Sequence, residues 1–111
     1  MAIIISSLED DKAIDITSVD LSGKTSIADY MVVASGTSRR HVNSVADHAQ
    51  RKLKEKGYGH VSVEGMKECD WVLIDAGDVI VHVFQPQVRN FYGIEKMWLA
   101  DMSTIEDNII V

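Results

Sequence analysis

Between Ser38 and Gly57 the apolar residues Val42, Val45, Ala46, Ala49 and Leu53 recur at the spacing that lays one buried stripe along a helix. Thr37 or Ser38 stands ahead of the stripe as a cap, and Gly57 is placed to end it, which makes this the longest predicted helix. Elsewhere the pattern is extended. Ile14 to Leu21 reads as a strand that stops at Ser22-Gly23, and His60 to Glu64 as another. Asp29 to Ser35 has an unbroken apolar centre, Met31-Val32-Val33-Ala34, which predicts a strand covered on both faces and closed by Gly36. Ser7 followed by Leu8-Glu9-Asp10 resembles an N-cap with acids in the first turn, so a short helix is predicted over Ser7 to Ala13. Pro86 suits the first turn of a helix through Tyr92, and Ile94 to Leu99 predicts one more, while Ser103 to Val111 has no clear period.

The stretch from Trp71 to Phe84 predicts a hairpin, and its turn decides which side chains share a face. With Gly77-Asp78 as the two-residue loop, glycine takes the first central position of a type II′ turn, where a positive φ suits it. That register pairs Ala76 with Val79, Ile74 with Val81 and Val72 with Val83, a small aliphatic face fit to lie under a helix. The other face pairs Asp75 with Ile80, Leu73 with His82, and Trp71 with Phe84. Aromatic and aliphatic anchors mixed with a carboxylate and an imidazole are the composition of a protein-binding surface. In this reading Asp78 completes the turn and Asp75 orients a bound protein. The competing reading places a short helix, near Pro86 or around Met97-Trp98, over this face and leaves His82 satisfied internally. The two separate on Trp71→Ala or Phe84→Asp, which abolishes binding of a folded protein if the face is open and unfolds it if the face is covered.

The elements together predict one α/β domain, a mixed sheet of about five strands with helices packed on it and antiparallel hairpins at both ends of the sequence. A chain of 111 residues with 46% apolar content suits one such core and leaves no second domain or linker. The formal charge of −6 repels a polyphosphate on average, and an acidic surface suits a basic protein partner. Cys69 is the only cysteine, which excludes an internal disulfide and a multi-cysteine zinc site. The start of the chain lacks the basic and apolar pattern of a signal sequence, and no apolar run is long enough for a membrane span, so a cytoplasmic protein is expected.

Candidate chemistry is sparse. Gly36-Thr37-Ser38-Arg39-Arg40 lies between a strand and a helix start, where backbone amides can hold an anion, yet it has neither P-loop spacing nor a dinucleotide fingerprint. A nucleotidyltransferase-like enzyme using Thr37, Ser38, Asp75 and Asp78 would need both carboxylates on one metal, which a loop position and a strand position do not enforce. None of His41, His48, His60 and His82 forms an i, i+4 metal pair, and Cys69 lies between Glu68 and Asp70, a setting that lowers thiol nucleophilicity. No catalytic residue, metal or cofactor is predicted.

Four blocks carry a resemblance: Ala28 to Ser38 with Arg40-His41-Val42, Val63-Glu64-Gly65, Trp71 to Phe84, and Tyr92 to Trp98. In this order they resemble the Iojap family of ribosomal silencing factors, over Ile4 to Asp101. The resemblance implies an Iojap-like domain over residues 1–102, with 103–111 as a tail, and a nucleotidyltransferase-like topology without that activity. It further implies binding to the large ribosomal subunit at its fourteenth protein, with ribosomal RNA nearby, so that joining of the small subunit is blocked and translation falls. Organellar relatives assist large-subunit assembly. The positions carried over as partner-binding are Trp71, Leu73, Asp75, Ala76, Ile80, His82 and Phe84. Ala76 departs from the larger residue that many members place before the Gly-Asp turn. An exposed apolar face also predicts a homodimer in the free protein.

Overall fold

The protein is described by a computed structural model in which residues 2–23, 26 and 28–92 are defined. The elements run α1 (Ala2–Asp10), β1 (Ile14–Asp20), β2 (Tyr30–Ser35), α2 (Arg39–Glu55), β3 (Ser62–Glu64), β4 (Trp71–Asp75), β5 (Val79–Phe84) and α3 (Pro86–Tyr92). The helix and strands anticipated from Ile14 onward are all present. The predicted helix over Ile94 to Leu99 and the Ser103 to Val111 tail lie outside the described residues.

The five strands form one mixed sheet in the order β1-β2-β5-β4-β3. β1 with β2, β4 with β5, and β3 with β4 are antiparallel, while β2 and β5 are parallel. β2 is therefore an interior strand, which accounts for its unbroken apolar run: Met31, Val32, Val33 and Ala34 are all buried. β1 is an edge, and its register breaks between Ile14 and Thr17, where Asp15 takes a φ of 51°. Such an irregularity discourages another chain from pairing with the edge.

α2 covers one face of the sheet through Val42, Val45, Ala46, Ala49 and Leu53, all fully buried against Val32, Val72, Ile74, Val81 and Val83. Ser38 is its N-cap and accepts from the His41 N–H at 3.1 Å. At its end Tyr58 N–H bonds to Leu53 O and Gly57 N–H to Lys54 O, with Gly57 at φ 94°. That pair of bonds is a Schellman ending.

α1 corrects the prediction for the N-terminal segment. Ser7 is an interior helical residue, 3% exposed, and not a cap. The helix begins at Ala2 because Ile4 and Leu8, one turn apart, both bury against α2. Its end repeats the Schellman pattern, with Ala13 N–H to Leu8 O and Lys12 N–H to Glu9 O, but here Lys12 holds the left-handed position at φ 60°. Asp11 then ties the helices together: His41 Nε2 donates to its carbonyl at 2.8 Å, and His48 Nδ1 lies 2.8 Å from its carboxylate.

The second face of the sheet has its own core, formed by Val19, Leu21, Ala28, Met31, Val33 and Phe84, with Trp71, Ile80 and Val88 packed against it. α3 joins this face. Its Arg89 is buried and donates from Nη1 to Ser35 Oγ at 2.9 Å, fastening the helix to the end of β2. Among the described residues no helix is long and apolar enough to cross a membrane.

Candidate interaction surface

The β4–β5 hairpin has the predicted register, with Trp71 opposite Phe84, Leu73 opposite His82 and Asp75 opposite Ile80. Its turn is Gly77-Asp78: Gly77 has φ 93°, Asp78 is not in the left-handed region, and Ala76 N–H bonds to Val79 O at 3.0 Å. Both aspartates belong to the turn in different ways. The Asp75 carboxylate accepts from Gly77 N–H at 2.9 Å, an Asx bond that stiffens the loop. The Asp78 carbonyl accepts from the N–H groups of Asp29 and Tyr30, linking the turn to the start of β2.

On the second face three rings pack together. Trp71 and Phe84 stack with centroids 5.0 Å apart, His82 and Phe84 at 6.0 Å, and Trp71 and His82 lie tilted at 5.8 Å. Trp71 Nε1–H donates to His82 Nδ1 at 3.0 Å. A nitrogen that accepts carries no proton, so His82 is the neutral tautomer with its hydrogen on Nε2. Burial holds it neutral, lowering its pKa from 6.5 to about 4.

This arrangement corrects three positions of the predicted surface. Phe84 is fully buried in the second core, enclosed by neighbours from β1, β2 and α3, so its ring does not face a partner. His82 is only 6% exposed and is satisfied internally by Trp71. Ala76 lies on the helix-covered face, 8% exposed, because the alternation of β4 turns it toward α2. The accessible part of the hairpin is narrower: Trp71, Leu73 and Ile80 are half-buried and Asp75 is exposed.

The sheet adds residues that sequence reasoning did not assign. β3 pairs with β4 so that Ser62 stands opposite Asp75 and Glu64 opposite Leu73, and both β3 residues are exposed. The strand over His60 to Glu64 was legible, but its partner strand was not, and only that pairing brings Glu64 beside Leu73.

Most of the other candidate chemistry is engaged in local contacts. At the start of α2, Thr37 N–H donates to His41 Nδ1 at 2.8 Å and His41 N–H to Ser38 Oγ, so two of the amides at the helix start are used locally. Arg39 reaches Asp70 at 3.8 Å. Cys69 is buried at φ 57°, with Sγ–H donating to Met66 O at 2.9 Å. Among the described residues no group of three or more His, Cys, Asp or Glu is arranged to hold a metal ion.

Comparison with known proteins agrees with the resemblance of the four sequence blocks. Residues 1–110 match the family described as "Ribosomal silencing factor during starvation". A ribosomal silencing factor of Zymomonas mobilis is 48% identical over 99 residues, covering 88% of this chain and 74% of that protein. A crystal structure from Chromobacterium violaceum superimposes with a TM-score of 0.84 at 47% identity, covering 87% of this chain and 81% of that one. More distantly, the mouse protein named for mitochondrial assembly of the ribosomal large subunit is 31% identical, over 86% of this chain and 43% of its own length. The match over nearly the whole chain, together with a shared fold at this identity, establishes that the chain belongs to the ribosomal silencing factor family.

Proposed function

We propose that this protein binds the large ribosomal subunit at its fourteenth protein and prevents the small subunit from joining, so that translation is repressed. The observation that carries the reading is the partly exposed flank of the β4–β5 hairpin, where Trp71, Leu73 and Ile80 are half-buried beside the exposed carboxylate of Asp75. Apolar side chains that remain partly wet in the free protein gain by being covered, at about 25 cal/mol per Å² of apolar area removed from water. His82 and Phe84 act from behind this flank: Phe84 stacked on Trp71 and His82 tilted against it and accepting its N–H, they hold the indole in one orientation and reduce the side-chain entropy lost on binding.

Blocking needs no bond making. A folded domain seated where the small subunit must dock excludes it by occupancy, and by mass action the blocked fraction follows the free protein concentration relative to the dissociation constant. The cytoplasm is where such a target is met. The mouse relative's name favours a second use of the same dock, in large-subunit assembly. In the free protein the same flank can pair with a second copy.

The test is a joining assay. Purified large and small subunits are mixed with increasing protein, and joined ribosomes are measured by light scattering or on a sucrose gradient. The joined fraction should fall in proportion to the large subunits occupied, and adding the protein after joining should have far less effect. An unchanged joined fraction with the large subunits saturated would refute the blocking mechanism.

A further inference from the structure

The register of β3 against β4 leaves a groove at the edge of the proposed dock. β3 ends at Glu64, opposite Leu73, whereas β4 continues two residues further, through Val72 to Trp71. The chain leaves the sheet at Gly65, with φ 90°, and passes so close that a Cβ there would strike the Trp71 carbonyl oxygen. The result is a groove of about 260 Å³ lined by Glu64, Gly65, Trp71 and Leu73. That is below the roughly 300 Å³ at which small-molecule sites begin and is on the scale of individual side chains.

Charge decides what fits there. The residues on this face of the β3–β4–β5 half of the sheet are Ser62 and Glu64 from β3, Trp71, Leu73 and Asp75 from β4, and Ile80 with the buried His82 and Phe84 from β5. They include two exposed carboxylates, no lysine and no arginine, and a histidine held neutral by burial. Asp75 is engaged with the Gly77 N–H, but no ion pair among the described residues holds Glu64. An apolar floor with an unpaired carboxylate at its lip suits a cation on the partner and repels a phosphate.

Resting on the ribosomal reading above, we propose that this groove seats an apolar side chain of a basic protein segment on the large subunit, with a neighbouring lysine or arginine of that segment pairing with Glu64. The pairing lies at the rim, where a charge contributes chiefly to encounter rate and to choice of partner. The same lip keeps ribosomal RNA off the groove.

The probe is purified large ribosomal subunits, with binding of wild type, Glu64→Gln, Glu64→Lys and Leu73→Arg measured at about 50 mM and about 500 mM salt. Glu64 is exposed, so both of its variants should melt as wild type does. Glu64→Lys should bind roughly tenfold more weakly at low salt and Glu64→Gln roughly threefold, with both gaps closing at high salt as the charges are screened. If Leu73→Arg fails to bind but both Glu64 variants match wild type at low salt, the dock stands and the cation pairing is wrong. Tighter binding by Glu64→Lys would mean that the groove faces phosphate, which also overturns it. A wild-type protein that does not bind large subunits at all removes the ribosomal reading and this inference together.

Discussion

Trp71 donates its indole N–H to Nδ1 of His82 across 3.0 Å, and this bond joins the wet edge of the sheet to its dry interior. Trp71 is half-buried and His82 is 6% exposed, so the histidine acts as an internal acceptor that orients a surface ring.

The burial of His82 makes stability depend on pH. His82 has a pKa of about 4 in the folded protein against 6.5 when free, so between these values the unfolded chain binds the extra proton. Stability from the neutral ring is therefore present in full above pH 6.5, declines as pH falls toward 4 and is constant below. The gap corresponds to about 3 kcal/mol. Urea unfolding at pH 7, 5.5 and 4.5 should show this loss in wild type, and His82→Gln, which keeps an acceptor without a titrating ring, should lose about that much less.

Phe84 tests whether the second face is core. Phe84→Ala should destabilise by about 3–5 kcal/mol, and Phe84→Asp should prevent folding, because an unpaired carboxylate would enter an apolar cluster. Circular dichroism and thermal melting check both. A folded Phe84→Asp protein would show that the ring is a surface group.

Much of this was legible in the chain, for reasons that also explain what was not. The α2 stripe and the hairpin register follow from local periodicity and one turn glycine, so Val42 to Leu53 and the Leu73–His82 pairing were both readable. Periodicity tells which residues share a face but not what covers that face. Phe84 and Trp71 were correctly placed side by side, yet the burial of one and the partial exposure of the other come largely from residues distant in sequence, such as Val19 and Met31. The start of α1 was missed because Ile3-Ile4-Ile5 shows no helical spacing by itself; Ile4 and Leu8 form a stripe only once α2 lies against them. Glu64 was missed because a three-residue edge strand does not announce its partner.

The two Schellman endings allow a stabilising substitution. Gly57 and Lys12 occupy equivalent positions after α2 and α1, at φ 94° and 60°. Lysine has a Cβ that the left-handed region disfavours, so Lys12→Gly should raise stability by about 0.5–1 kcal/mol, measured by urea unfolding. A loss of stability would show that the strain at Lys12 is offset by contacts of its side chain.

Gly65 and Gly77 share a left-handed φ but differ in surroundings. Around Gly77 there is open space, so Gly77→Ala should cost about 1 kcal/mol. At Gly65 a methyl group meets the Trp71 carbonyl as well, so Gly65→Ala should cost more than about 2 kcal/mol and disturb tryptophan fluorescence. Equal costs in thermal melts would mean that the Gly65 to Trp71 approach relaxes freely.

The dock itself is tested most directly by Leu73→Arg, which places charge on the half-buried flank without touching either core. Wild-type and variant protein are sedimented with purified large subunits and with joined ribosomes. Wild type should pellet with large subunits and stay in solution with joined ribosomes, while folded Leu73→Arg should bind large subunits at least about tenfold more weakly. Undiminished pelleting of Leu73→Arg with large subunits would contradict binding through this flank.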